Sequence, residues 1–453
     1  MIEKARSTVT CVFGAVVCMS GLAWGAEPLP SAGSALIRVP DPLSGENPGH
    51  RLVPEPLPEP GKPLADARFG TQLMRVTAKA GLRHEYSRYD PFNRDRSKIV
   101  LIDPPTGELR VYRADSPPYD RPEKLLATLE LEQPRWDVAE PNLIWGFRDF
   151  QIRTYDFATG KMKVIKDFAR DPAVAPLLEA GKDLYRITTK DEGESSRDMR
   201  YWAVALQGSK NDYRLRHILI WDRSTDRVLG TYELSKAEEI DWVGMSWNGA
   251  WVLIGADPGE GRISGLTMAD RELSKFHRLD FGTGHADVAL DDRGNEVIVM
   301  QNVRTDYIDM IPIDWETKPI LENGGGYEGT GRTPLVRLFS SSESPVGLNS
   351  GVHISCNVPG WCVVSTYIEP QLAEQNWLDR SIILVRVSGR RSEAFYLAKV
   401  HATRGAYWEE TQAALSNDGS RVVWADNWSQ DVGQERSFLM QLEMPEQWRD
   451  RVK

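Results

Sequence analysis

Two patterns of apolar and polar positions recur along the chain. The first is a polar turn leading into a short apolar run: PFNRDRSKIVLI at 91–102, SWNGAWVLIG at 246–255, ALDDRGNEVIVM at 289–300 and ALSNDGSRVVWA at 414–425. The second is a strand, an Asp-rich or Gly-containing turn, and another strand: LIDPPTGELRVY at 101–112, IRTYDFATGKMKVI at 152–165 and LIWDRSTDRVLGTY at 219–232. Asn, Asp and Gly bend the chain, and the β-branched and aromatic runs between them suit a buried strand. Joined end to end, the two patterns make the four-stranded meander of a propeller blade, which repeats every ~40 to 50 residues.

The pattern therefore predicts an all-β fold, a seven-bladed β-propeller spanning residues 69–453. Its innermost strands are expected to begin near Tyr86, Trp136, Arg197, Trp242, His285, His353 and Tyr407. The last unit lacks an outer strand after 436–443. The alternating segment QLMRVT at 72–77 is the expected N-terminal strand that completes it and closes the ring. Helical periodicity is scarce, with short candidates at 171–181 and 370–377 only.

The residues ahead of the propeller read differently. Lys4 and Arg6 precede a mostly apolar run from Val9 to Leu22, and Ala23-Trp24-Gly25 followed by Ala26 fits a signal-peptide cleavage site, giving a signal peptide over 1–26. The run is short for a membrane span, and no later segment is long enough for one. Residues 27–68 are rich in proline and read as an extended linker or a wrapping arm. A periplasmic or secreted location is expected. Cysteine use agrees: Cys11 and Cys18 leave with the signal, while Cys356 and Cys362 flank a Pro359-Gly360 turn and are expected to bridge a hairpin. The net charge of -10 argues against a general nucleic-acid binder but leaves room for an anionic ligand held by local arginines. The 15 tryptophans serve blade packing first, and some are of the right type to stack on sugars.

In a propeller, the residues just ahead of the innermost strands surround the axis. Four of the seven histidines, His84, His285, His353 and His401, fall at equivalent places in four units. One histidine alone more often ties a loop to a blade, whereas four in register point to a shared site. His84, Tyr86, Arg88, Arg197, His285, His353, His401 and Gln412 are thus expected to converge on one face. Histidines with Gln412 or Asp287 can bind a divalent metal. Histidine, tyrosine and arginine can instead abstract a proton next to a carboxylate, which needs a base, a cation and an acid.

The segments RHEYSRYDPFNRDRSKIVL at 83–101, GHADVAL at 284–290, GVHIS at 351–355 and YWEETQAALSNDGSRVVW at 407–424 resemble the blade motifs of the propeller-fold polysaccharide lyases, the oligogalacturonate lyases and ulvan lyases among them. The resemblance covers most of residues 70–445, at the level of blade pattern and polar residues ahead of inner strands. It implies β-elimination on a uronate-containing oligo- or polysaccharide. From the oligogalacturonate lyases it implies a divalent metal ion (Mn, Ca or Zn), with His285, His353, His401 and Gln412 as ligands. This chain lacks the tightly spaced Gln-x-x-His-x-His cluster of that family. The ulvan-type enzymes rely on histidine, tyrosine and arginine, for which His84, Tyr86, Arg88 and Arg197 stand here; by residue type, His84, Tyr86 and His353 are expected in proton transfer. Substrate would be held by Arg88, Arg197, Tyr407 and Glu410, the arginines taking its carboxylate in paired hydrogen bonds. Two other classes stay open. One is a non-catalytic propeller binding a protein or an envelope glycan. The other is a glycoside hydrolase using Asp287, Glu409 or Glu410.

Overall fold

The computed structural model describes residues 36–44, 47, 50, 52–66, 68–210, 212–302, 307–319, 331–338, 350–368, 377–402 and 406–452. The expected signal peptide and the 370–376 part of one helix candidate lie outside these residues. The other helix candidate is a short helix, Ala175–Ala180. Among the described residues no helix is long and apolar enough to cross a membrane.

Seven antiparallel sheets follow one another around an axis. Blade 1 is built on Lys98–Asp103, Glu108–Arg113 and Leu125–Leu129. Blades 2 to 5 are four-stranded, with inner strands Glu132–Trp136, Arg186–Thr188, Ile240–Met245 and Ala286–Leu290. The inner strand of blade 6 is Ser350–Val358, and that of blade 7 is Ala414–Leu415. Alternate positions of each strand bury against the neighbouring blade. Leu415, Val422 and Trp424 of blade 7, for example, share one apolar cluster with Val363, Ile382 and Leu384 of blade 6. The turn into Arg421–Asp426 is set by Gly419, whose φ of 69° suits glycine, and by the Asp418 carboxylate, which accepts from the Ser420 amide at 2.9 Å.

The ring closes as its alternation predicts. Gln72–Arg75 pairs antiparallel with Phe438–Glu443, with Leu73 opposite Leu442. Two further strands come from the proline-rich arm. Pro63–Ala65 pairs with Gln72–Arg75, and Ile37–Arg38 pairs with the outer strand of blade 6. The described part of the arm therefore lies on the ring. Cys356 and Cys362 form a disulfide across the blade 6 hairpin.

The inner strands of blades 1 and 3 are interrupted, and here the expected register is corrected. In blade 1, Arg83 bridges Ile102 and Phe92 bridges Ile99, so residues 84–91 leave the sheet between them. In blade 3, Arg186–Thr188 pairs with the next strand, and pairing resumes only where the Ser196 amide donates to the Tyr201 carbonyl. Tyr86 thus lies in an excursion from its strand, Arg197 follows one, and Tyr407 belongs to a short 3-10 helix, Tyr407–Glu409. Trp136 ends its strand instead of starting it.

The two excursions meet across the axis and plug it. The Arg88 guanidinium pairs with the Glu192 carboxylate at 3.0 Å, and it lies over the Trp242 ring at 4.6 Å. The Tyr89 hydroxyl donates to the Gly193 carbonyl at 3.0 Å. Arg135 stacks on Tyr89 and pairs with Glu85 at 3.4 Å. Asn357 of blade 6 donates to the carbonyls of Arg88 and Leu415, tying the plug to blades 6 and 7. Gly193 is required by close approach: a Cβ there would fall 1.6 Å from the Val243 carbonyl oxygen. Beyond it the Glu194 carbonyl accepts from the Met245 amide, and the Arg197 amide donates to the Trp247 carbonyl, so the second excursion is stitched to blade 4.

Burial of so many charges shifts them. Desolvation raises Glu85 to about 8 against the pull of Arg135, and raises Asp90 to about 7 against two backbone amides. Burial and the neighbouring Glu194 push Asp287 up as well, opposed by Arg88 and by the amides of Cys356 and Val288.

Two outcomes follow from this architecture. Leu73→Ala removes a buried side chain from the closing strand and should cost about 2–5 kcal/mol. Urea titration will read this as one cooperative transition at a lower midpoint, and an unchanged midpoint would mean that the strand does not close the ring. Glu85 keeps its proton up to about pH 8 when folded but releases it near its ordinary value of 4.5 when unfolded. Its contribution to stability is therefore full at low pH and falls as pH rises through that window. Glu85→Gln should flatten part of the decline of Tm with pH measured by calorimetry, and identical slopes would show that Glu85 ionises normally.

Candidate functional site

The chain enters every inner strand on the same side of the ring, here called the upper face. On that side His285 immediately precedes the inner strand of blade 5, and His353 lies within that of blade 6. Residues 406–413 lead into blade 7, and the first excursion supplies Tyr86. These four elements bring a compact group together. The Tyr86 hydroxyl and His285 Nδ1 are 3.2 Å apart. The His285 and His353 rings are 4.6 Å apart, and Tyr86 meets His353 edge-on at 5.7 Å. His353 Nε2 is 3.4 Å from the Glu410 carboxylate, and its ring stacks on Tyr367 at 5.5 Å. Tyr407 stands beside them, 46 % exposed, while Tyr86, His353 and Glu410 are buried and His285 is half-buried.

Arg83 organises the wall behind this group. It is fully buried and holds the carbonyls of Trp408 and Glu410, and its Nη2 donates to Gln412 Oε1 at 2.7 Å. His84 Nε2 bonds the Gln412 carbonyl. Between them they fix Gln412, which takes a left-handed φ of 44°. His84 is sealed from solvent, and burial with Arg83 beside it lowers its pKa to about 3. It is a neutral brace for residues 410–412.

Burial lowers His285, so it is a neutral imidazole near neutral pH, with Glu410 opposing the shift. Burial and Glu192 raise Tyr86 well above the ordinary phenol value, so it keeps its proton. A neutral imidazole in contact with a protonated phenol is a base–acid couple able to take one proton and give another.

Three of the expected residues stand apart. Arg88 is in the axial plug, 2 % exposed and paired with Glu192. His401 lies outward between blades 6 and 7, where its ring stacks on Trp428 at 3.8 Å and its amide donates to the Asp426 carboxylate. Arg197 is at the opposite, lower mouth, where its hydrogen bonds go to Asn357 and Asn417. The eight residues thus divide between two faces and the plug. The four expected metal ligands do not fit one ion. His285 and His353 are adjacent, but His401 is stacked away from them and the Gln412 oxygen is taken by Arg83. Among the described residues no group of three or more His, Cys, Asp or Glu side chains could hold a metal.

Sequence reasoning did not single out Asn357, Arg135 or Glu192 as organisers of the axis. The acidic run 191–194 broken by Gly193 was the available sign, since a glycine within such a run marks close backbone approach. Of the carboxylates considered for hydrolysis, Asp287 accepts from the Val288 and Cys356 amides, and Glu409 accepts from those of Ala406 and Glu435.

By sequence, the chain matches no protein-family profile and no curated protein. By fold, it is similar to an oligogalacturonate lyase from Vibrio parahaemolyticus, with TM-score 0.53 and 9 % identity over 85 % of this chain and 97 % of that one. It is also similar to an oligogalacturonate lyase solved in complex with manganese, with TM-score 0.51 and 12 % identity over 86 % of this chain and 98 % of that one. The chain is a seven-bladed β-propeller of the fold found in oligogalacturonate lyases.

Proposed function

We propose that the protein is an exported lyase that cleaves a uronate-containing oligo- or polysaccharide by β-elimination. The observation that carries this reading is the 3.2 Å contact between Tyr86 and His285, with His353 packed on both, at the upper mouth of such a propeller. In the reading, His285 Nδ1–H donates to the Tyr86 oxygen, which leaves Nε2 free as the base. Nε2 takes the proton from C5 of the uronate. The electron pair forms the C4=C5 double bond as the bond from C4 to the glycosidic oxygen breaks. Tyr86 gives its proton to that leaving oxygen and regains one from His285 Nδ1 across their contact. The products are an unsaturated uronate and a new chain end. Glu410 fixes the His353 ring, and exposed Tyr407 offers a face for the sugar.

The substrate carboxylate needs a cation, and Arg88 is the nearest in the plug. It is held by Glu192, whose carboxyl is raised by burial against the pull of Arg88. Glu192 gives way to the substrate in this reading. The metal-ligand set does not assemble, so no step is routed through a metal.

A second reading, a non-catalytic propeller that binds an envelope glycan or a protein, is favoured by one observation: Arg88 is already neutralised by a residue of the chain itself. The hydrolase reading has less support, because Asp287 and Glu409 are engaged with backbone amides.

Ultraviolet absorbance during incubation with a panel of acidic glycans, with and without manganese, tests the reading, since only the unsaturated product absorbs. Tyr86→Phe and His285→Ala should each lower turnover by at least ~100-fold with the fold intact. His217→Ala, on the third strand of blade 3, and His277→Ala, on the outermost strand of blade 4, should be nearly silent. Reducing ends without new absorbance would mean hydrolysis, and neither product on any glycan would favour the binding propeller.

A further inference from the structure

The lower mouth of the axis, on the far side of the plug from the histidines, carries a site of its own. The inner strands end there, and the residues that follow them converge. Trp136 ends the inner strand of blade 2, Trp247 follows that of blade 4, and Asn357 and Asn417 come from the ends of blades 6 and 7. Together with Arg135, Glu194 and Arg197 they line a pocket of about 60 Å³.

The chemistry of this pocket is specific. Arg197 lies over the Trp247 ring at 4.7 Å, and its hydrogen bonds go to neutral oxygens only: Asn357 Oδ1 at 3.4 Å, the Asn357 carbonyl at 3.2 Å and Asn417 Oδ1 at 2.6 Å. Two asparagines and an indole therefore hold a guanidinium in place without cancelling its charge. Arg135 provides a second cation, stacked on Tyr89, and its ion-pair partner Glu85 keeps its proton up to about pH 8. Asp90 and Glu194 also line the pocket, and burial raises both, Asp90 to about 7, with Arg197 opposing each shift. Two guanidiniums thus face two carboxyls that burial pushes toward their neutral forms, in a protein whose total is -10.

Size and shape narrow the ligand. The pocket is open to solvent on one side, and its inner space of about 60 Å³ suits a carboxylate-sized group. The ring would remain at the open side against half-buried Trp247, while Trp136 is buried in the wall behind. Flat indoles suit the C–H face of a pyranose, and a planar guanidinium suits a carboxylate.

We propose that the lower mouth is a second glycan-binding site, which takes an acidic saccharide by seating one uronate carboxylate between Arg197 and Arg135 with the sugar ring against Trp247. The site is separate from the Tyr86–His285 couple and does not depend on the β-elimination reading. It anchors a chain that is not being cleaved.

Calorimetric titration with a galacturonate trisaccharide tests this, with the neutral galactose trisaccharide as the parallel arm. The His285→Ala background is used so that ligand is not consumed. Trp247→Ala should weaken binding of the acidic trisaccharide by at least ~10-fold. Ser195→Trp, which fills the pocket from its wall and removes none of the polar contacts above, should do the same. The neutral trisaccharide should bind far more weakly than the acidic one. Circular dichroism confirms that each variant is folded, and Ser195→Trp decides the matter if Trp247→Ala is not. Acidic and neutral trisaccharides bound alike, no binding of either, or binding untouched in the folded variants would each overturn the proposal. Because the readout is binding, absence of lyase activity leaves the test unaffected.

Discussion

The ion pair between Arg88 and Glu192 is the interaction on which the rest of the axis depends. Both charges are largely removed from water, so each is tolerable only because the other is present. They belong to blades 1 and 3, which do not adjoin, and the bond between them fills a space that the inner strands alone would leave open. Trp242 from blade 4 covers the guanidinium, and Asn357 from blade 6 ties the backbone of Arg88. One residue of blade 1 is thus held by three other blades. Polar groups at the centre of a ring are costly when half satisfied, and Arg88 is bonded through both terminal nitrogens to Glu192.

The plug also explains why the molecule has two distinct mouths. Above it the groups are imidazoles, phenols and carboxylates in mutual contact. Below it they are guanidiniums, indoles and amides around a small pocket. A continuous channel would have averaged the two environments through water. Separation by a packed polar layer lets desolvation act on each side, so that His285 and Glu85 both shift toward neutrality, Glu85 against the pull of Arg135 and His285 with Arg88 adding to the shift.

The blades were legible in the sequence because a strand has a period of two and a turn has its own residues. QLMRVT alternates, and it pairs where its pattern requires; ALSNDGSRVVWA places Gly419 in its turn and Trp424 in the core. The disulfide was legible because Cys356 and Cys362 flank a turn dipeptide. The axis was less so. Tyr86, His285 and His353 were grouped correctly in space, since position ahead of or early in an inner strand is enough to bring them to one mouth. A strand beginning near Arg197 would bring it to that mouth, but the residues there are the end of an interrupted strand. Periodicity cannot tell the two ends of an irregular strand apart. His401 shares the spacing of the other histidines, but Trp428 captures its ring, and a stacking partner from a different loop leaves no mark on local pattern.

Closure by Gln72–Arg75 has a consequence for how the ring is made. This strand precedes every blade in the chain, yet its partner, Phe438–Glu443, is in the last of them. A strand synthesised before any blade is therefore among the last that can find its place. Until then it and the final blade each present an unsatisfied hydrogen-bonding edge, one at either end of a nearly complete array. Such distant pairing makes for slow completion, and the interval is when the chain is most open to joining the wrong neighbour. The proline-rich arm that lies outside the closing strand bears on that interval. Pro63–Ala65 covers the outer edge of Gln72–Arg75, so only one side of that strand is left to wait for the rest of the chain.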